Sequence, residues 1–225
     1  MEAEKVAQSI EHTQLKPYAT AADIEKLCQE ALRWNFYGIC CYNQWLKLAR
    51  SILGGSAIRL VTVAGFPTGT HSTRIKCQEL EEALQNGADE VDFVLNIGWL
   101  KERRLRALEE EFKQLVSLAS PHPLKVILET CFLSEEEKAL ACSLAVAAGI
   151  DFLKTSTGFG SGGATIADVQ LMRQFSPFIK ASGSIKDASM ALSLLQAGAS
   201  RLGTSSSVSI MEELKSAHFN NSLSH

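Results

Sequence analysis

The chain has 225 residues, 46% of them apolar and 21% charged, with 22 Lys plus Arg against 25 Asp plus Glu for a net charge of −3. That composition supplies a full hydrophobic core and excludes an intrinsically disordered chain. A sequence pI near 6.0 argues against a broad nucleic-acid surface, while leaving room for a small anionic ligand.

Eight apolar, β-type runs are expected in chain order, near 9–13, 37–42, 59–64, 89–95, 124–129, 150–155, 177–181 and 200–204. The first is the least distinct. Helical patterns fill the gaps, near 20–34, 43–53, 71–86, 101–119, 134–148, 165–175 and 186–197, with an eighth near 205–217. Ser134 to Glu137 reads as a capping box, and Thr20 to Asp23 and Thr165 to Asp168 as acidic versions of it. Gly87, Gly149 and Gly198 each stand between a helical pattern and the next apolar run, where a left-handed C-cap is expected. The runs VTVA, VDFVLN, VILE and IDFLK are nearly continuous, as suits strands covered on both faces. Eight β-then-α units predict a single-domain (β/α)₈ barrel over 1–225, with a frayed tail near 218–225. An open doubly wound sheet is the alternative, but no GxGxxG opens the first helix.

No apolar run is long enough to span a bilayer, and the first residues carry acids without an apolar signal core, so a cytoplasmic, non-membrane protein is expected. Cys28, Cys40, Cys41, Cys77, Cys131 and Cys142 form neither a zinc pattern nor a disulfide framework, and read as reduced thiols. Cys40 and Cys41 end the second run, where one of them could face the pocket, but they read as non-catalytic core thiols. His12, His71 and His122 lack metal-ligand spacing, and 101–106 is a charged helix start read as a solvated face.

Charges that interrupt apolar runs are the candidates for chemistry, because barrel active sites sit at the C-terminal ends of the strands. Asp92, Lys154 and Lys180 stand out. The two lysines fall on consecutive strands, about 4.8 Å apart, so their amines can share a site. A lysine of ordinary pKa is only about 0.04% neutral at pH 7, and moving the pKa to about 7 takes roughly 4–5 kcal/mol of destabilisation of the charged form. Burial and a second ammonium both act in that direction. The bland alternative is that both lysines reach the barrel rim or bind a phosphate. The loops after the last three strands are rich in Gly and Ser and feed helix N-termini, a setting that favours phosphate.

The stretches HTQLKP, GFPTG, NGADEVDFVLNIG, LKVILET, DFLKTSTGFGSGGAT, IKASGS and RLGTSSS, in that order, resemble the deoxyribose-phosphate aldolase family over about residues 10–211. The resemblance implies a (β/α)₈ class I aldolase without a metal or other cofactor. Such an enzyme reversibly cleaves 2-deoxy-D-ribose 5-phosphate to acetaldehyde and D-glyceraldehyde 3-phosphate in deoxyribonucleotide catabolism. It assigns Lys154 as the Schiff-base lysine, Lys180 as the residue that lowers its pKa, and Asp92 to a proton relay. Lys125 would line the same pocket and is a candidate to join the relay. Thr13 and Leu15 would lie near the sugar, and Gly158, Gly183, Ser184, Gly203, Ser205 and Ser206 near the phosphate. A homodimer acting on small phosphorylated sugars and aldehydes is implied by the same analogy. Departures are Glu11 for the usual Asp, Ser184 for a glycine, Lys186 for an arginine, Trp99 after NIG, and a tail without tyrosine. Glu11 is not assigned a catalytic role. The competing reading is another phosphosugar barrel enzyme, an isomerase or synthase, with the lysines as phosphate ligands.

Overall fold

A computed structural model describes residues 2–222, with side chains through residue 216. The eight strands are β1 (Ile10–Gln14), β2 (Gly38–Cys41), β3 (Arg59–Ala64), β4 (Glu90–Val94), β5 (Leu124–Ile127), β6 (Phe152–Lys154), β7 (Ile179–Ser182) and β8 (Arg201–Thr204). All pair in parallel in sequential order, and β8 closes on β1, which makes the (β/α)₈ barrel expected.

The helices are α1 (Ala3–Ala7), α2 (Ala21–Trp34), α3 (Leu46–Leu53), α4 (Thr73–Gln85), α5 (Ile97–Lys101), α6 (Leu105–Ala119), α7 (Glu135–Ala147), α8 (Ile166–Met172), α9 (Ala188–Gln196) and α10 (Ser207–Ser222). Local chemistry sets several of their ends. Thr20 with Asp23 and Ser134 with Glu137 form complete capping boxes. At α8 only half the box forms: Thr165 accepts from the Asp168 N–H, while the Asp168 carboxylate turns to Thr130 and Lys138. Gly87, Gly149 and Gly198 all take positive φ, as their helix-to-strand positions require.

Two helices differ from expectation. The short α1 was not foreseen. The pattern near 101–119 is two elements, because Asn96 caps α5 at the Trp99 N–H and Arg103 turns the chain with a positive φ before α6. Lys101 therefore ends a helix instead of opening one. The 101–104 residues are exposed, and Arg104 lies over the Trp99 ring. α10 runs through Ser222, into the segment expected to fray, and residues 223–225 lie outside the described residues.

The main core lies between the barrel and the helices, where Ile24, Leu60, Phe93, Phe112 and Leu202 are buried. Inside the barrel, Leu15, Cys40, Val61 and Val63 form a smaller apolar cluster. The inward face also carries the charged residues. Alternation along each strand brings Glu11 and Thr13 of β1, Glu90 and Asp92 of β4, Lys125 of β5, Lys154 of β6 and Lys180 of β7 toward the axis. Register pairs Asp92 with Lys125, and Lys154 with Lys180, side by side. All six cysteines are free, with Cys131 exposed. Among the described residues no helix is long and apolar enough to cross a membrane.

Candidate active site

A cavity of about 400 Å³ opens where the loops after β1, β6, β7 and β8 meet. Its floor is reached by Lys154, whose side chain is 3% exposed. Thr13, Leu15, Gly158, Gly183, Ser184, Gly203, Ser205 and Ser206 all line it, together with Gln14, Lys16, Phe159 and Lys186. Lys180, Asp92 and Lys125 do not line it. They form the layer beneath, fully enclosed.

That layer is held by charge. Lys154 Nζ donates to Asp92 Oδ2 at 2.8 Å, and Lys180 Nζ donates to the same oxygen at 2.6 Å. Lys180 Nζ also donates to Glu11 Oε2. Lys125 Nζ lies 2.9 Å from Asp92 Oδ1, 2.5 Å from Glu90 Oε2 and 3.7 Å from Glu11 Oε1. Lys125, expected to line the pocket, is not among the residues lining this cavity: it is fully buried, with its amine among three carboxylates.

The two site lysines titrate in opposite directions. Burial pushes the Lys154 pKa below the ordinary value; the adjoining Asp92 opposes that shift and the Lys180 ammonium adds to it. For Lys180 burial acts the same way, but Asp92 and then Glu11 outweigh it and raise the pKa. Burial would likewise raise the Asp92 pKa, yet the ammonium groups of Lys125, Lys154 and Lys180 hold it well below the carboxylate range. Cys40 faces this layer, and burial pushes its thiol up to about 11, so it stays protonated.

Backbone packing shapes the rest of the cavity. Thr155 Oγ1 donates to Ser182 O and accepts from Ser182 N, which ties the β6 and β7 ends together. The Ala164 N–H meets the carbonyls of both Ser182 and Gly183 at 3.1 Å. Gly163 packs directly on Gly183: a Cβ there would lie 2.3 Å from Gly183 O and 2.6 Å from Ser184 Cβ. Ser184 itself has φ +60°, a left-handed conformation that glycine adopts more readily than serine. At Gly203 a Cβ would come within 3.0 Å of Lys180 Cε, so the small residue leaves room for the buried lysine. Glu129, at positive φ after β5, accepts from both the N–H and the hydroxyl of Thr157 and props the loop that carries Gly158 and Phe159.

Sequence reasoning left Glu11, Glu90 and Glu129 without roles at this site. Glu11 sits in the polar run EHTQ, which offers no apolar contrast, and Glu90 looks like a strand-edge acid after Asp89. The signal available was position: both acids fall on the inward alternation, two residues from Thr13 and Asp92 respectively.

A family model for DeoC/LacD aldolases matches residues 5–206. The chain is 51% identical over 219 residues to a deoxyribose-phosphate aldolase of Carboxydothermus hydrogenoformans, covering 94% of this chain and 96% of that one. It is 48% identical over 209 residues to one of Coprothermobacter proteolyticus, covering 92% and 95%. The structure superposes with a TM-score of 0.87 on a tetrameric deoxyribose phosphate aldolase from Aeropyrum pernix, at 30% identity, over 96% of this chain and 93% of that one. Matched along nearly its whole length in both sequence and structure, the chain belongs to the DeoC/LacD family of aldolases.

Proposed function

We propose that this protein is a class I aldolase that reversibly cleaves 2-deoxy-D-ribose 5-phosphate to acetaldehyde and D-glyceraldehyde 3-phosphate. The observation that carries the mechanism is that Lys154, alone among the three lysines of the barrel interior, meets the cavity while its pKa is held down. Lys180, locked between Asp92 and Glu11, keeps its proton and so keeps a positive charge beside Lys154.

Neutral Lys154 attacks C1 of the open-chain sugar, and the resulting carbinolamine takes up a proton and loses water to form an iminium ion. The C3 hydroxyl then gives up its proton, and the C2–C3 bond breaks. The electron pair moves into the iminium to give an enamine, and C3 leaves as the aldehyde of glyceraldehyde 3-phosphate. The enamine takes a proton at C2, and water hydrolyses the resulting iminium to acetaldehyde and free Lys154. Asp92 is assigned the proton relay through its contacts with Lys154 and Lys180. The phosphate is assigned to the far wall, where Gly183, Ser184, Ser205 and Ser206 precede α9 and α10 and Lys186 adds charge. Holding that end of the sugar orients the reacting carbons over Lys154.

The isomerase or synthase alternative, with the lysines as phosphate ligands, is not favoured: Lys180 is sealed beneath the floor and bonded to carboxylates. Borohydride reduction in the presence of acetaldehyde tests the assignment. The expected result is a covalent adduct on Lys154 by mass spectrometry, lost in Lys154→Met together with turnover. An adduct elsewhere, or none, overturns it. A cytoplasmic homodimer is the proposed working form; light scattering distinguishes two copies from the four of the Aeropyrum pernix relative.

A further inference from the structure

Six acidic and basic side chains, besides the protonated Cys40 thiol, meet inside the barrel: the carboxylates of Glu11, Glu90 and Asp92 and the amines of Lys125, Lys154 and Lys180. The proposed chemistry employs Lys154, Lys180 and Asp92. Glu90 and Lys125 are left without a task, although burying a charge this deeply is costly unless it is matched. Glu90 lies two residues before Asp92 on β4, so the two point the same way. Its Oε2 is 2.5 Å from Lys125 Nζ, and its Oε1 accepts from the Tyr37 hydroxyl. Arg201 of β8 stacks 3.6 Å from the Tyr37 ring centroid at the same end of the barrel. Lys125 reaches on to Asp92 and Glu11, with the Phe152 ring 5.7 Å away. Lys154, in turn, is faced by Asp92 of β4, Lys180 of β7 and Cys40 of β2.

Within the sealed layer, outside which the half-buried Arg201 guanidinium lies, three carboxylates and three ammonium groups cancel. When Lys154 is a free amine, the sealed layer holds Glu11, Glu90 and Asp92 against Lys125 and Lys180 alone, and carries one uncompensated negative charge. When that nitrogen becomes an iminium, balance returns. We propose that Glu90 is a positioning residue that acts through Lys125 to set this charge parity, so that the balanced state of the core is the cationic iminium on Lys154. The proposal rests on the aldolase reading of Lys154. It gives the outlying pair a function: each cationic intermediate forms in a layer with one negative charge in excess, and the neutral enamine restores that excess and draws a proton back to carbon.

The test is the pH dependence of kcat/KM in the whole enzyme, whose acid limb reports the Lys154 pKa in the free protein. Glu90→Gln removes a negative charge, so the limb moves to lower pH by about half to one unit, while kcat falls roughly tenfold because the iminium is no longer matched. Lys125→Met removes a positive charge, and the limb moves to higher pH. The double variant returns the limb to within about 0.3 unit of wild type, since the count is restored. Glu90→Asp keeps the charge and the wild-type limb. A purely structural role would loosen and hydrate the site, and would move all variants in the same direction. Equal-sign shifts, an unmoved limb in Glu90→Gln, or a double variant that fails to return overturns the proposal. Should Glu90→Gln not fold, the double variant carries the test, because it leaves no lone buried charge. Failure of wild-type enzyme to trap acetaldehyde on Lys154 would instead remove the aldolase reading.

Discussion

One oxygen of Asp92 receives both site lysines: Lys154 at 2.8 Å and Lys180 at 2.6 Å from the same Oδ2. Two ammonium groups this close repel, and the surroundings decide which keeps its proton. Lys180 has a second carboxylate, Glu11, and no contact with the cavity. Lys154 has only the shared oxygen and an opening toward substrate.

Lys180→Leu should disable the site electrostatically, over and above the stability it loses by stranding the buried Glu11 carboxylate. Loss of the neighbouring charge removes one of the influences that lower the Lys154 pKa, and leaves Asp92 to favour its ammonium form. Each unit of upward shift cuts the neutral fraction at pH 7 about tenfold. The expected outcome is a kcat/KM at pH 7 reduced by roughly a hundredfold or more, with partial recovery as the pH is raised. A pH profile of unchanged shape would contradict this account.

Gly163→Ala tests the wall assigned to phosphate. The new methyl would meet the Gly183 carbonyl at 2.3 Å, and backbone must move to relieve it. Overpacking of this kind costs about 1–3 kcal/mol, read by urea denaturation. The displaced segment is the one carrying Gly183 and Ser184, so KM for the phosphorylated sugar should rise more than kcat falls.

His12 gives a stability signature. It lies on the outer side of β1, with Nε2 2.9 Å from Glu30 Oε2 of α2 and Nδ1 3.0 Å from Ser207 Oγ of α10. Burial lowers its pKa from 6.5, although Glu30 opposes the shift. Below pH 6.5 the unfolded chain thus takes up a proton that the folded chain refuses. This contribution to stability is present above pH 6.5 and is lost as the pH falls, at up to about 1.4 kcal/mol per unit until the folded pKa is reached. Denaturation of wild type and His12→Asn between pH 5 and 8 should show a difference that shrinks toward acid. A constant difference would refute it.

Lys76 and Glu111 form a second sealed ion pair, at 2.7 Å between α4 and α6, with Lys76 also donating to the Val94 carbonyl at the end of β4. Glu111→Leu alone strands a buried ammonium and should destabilise by about 3–5 kcal/mol. The double variant Lys76→Met with Glu111→Leu should recover most of that loss. Chemical denaturation of the three proteins decides it.

The barrel was legible because its strands are apolar runs with glycine-capped helices between them, and Asp92, Lys154 and Lys180 were legible because each interrupts such a run. Lys125 was visible as a strand lysine, but its burial under the cavity floor was not. Its partners Glu90, Asp92 and Glu11 come from two other strands, and only closure of the β1–β8 ring brings Glu11 across to them. The split between α5 and α6 was hidden for a different reason. Arg103 adopts positive φ without the glycine that would signal it.

Aldehydes condense with any neutral amine they can touch, which makes them hazardous cargo for a lysine-rich interior. Within this barrel the floor exposes a single nitrogen to them, while the other two are walled off and clamped by carboxylates. The same arrangement that prepares Lys154 for attack keeps the amines of Lys125 and Lys180 out of reach of the aldehyde.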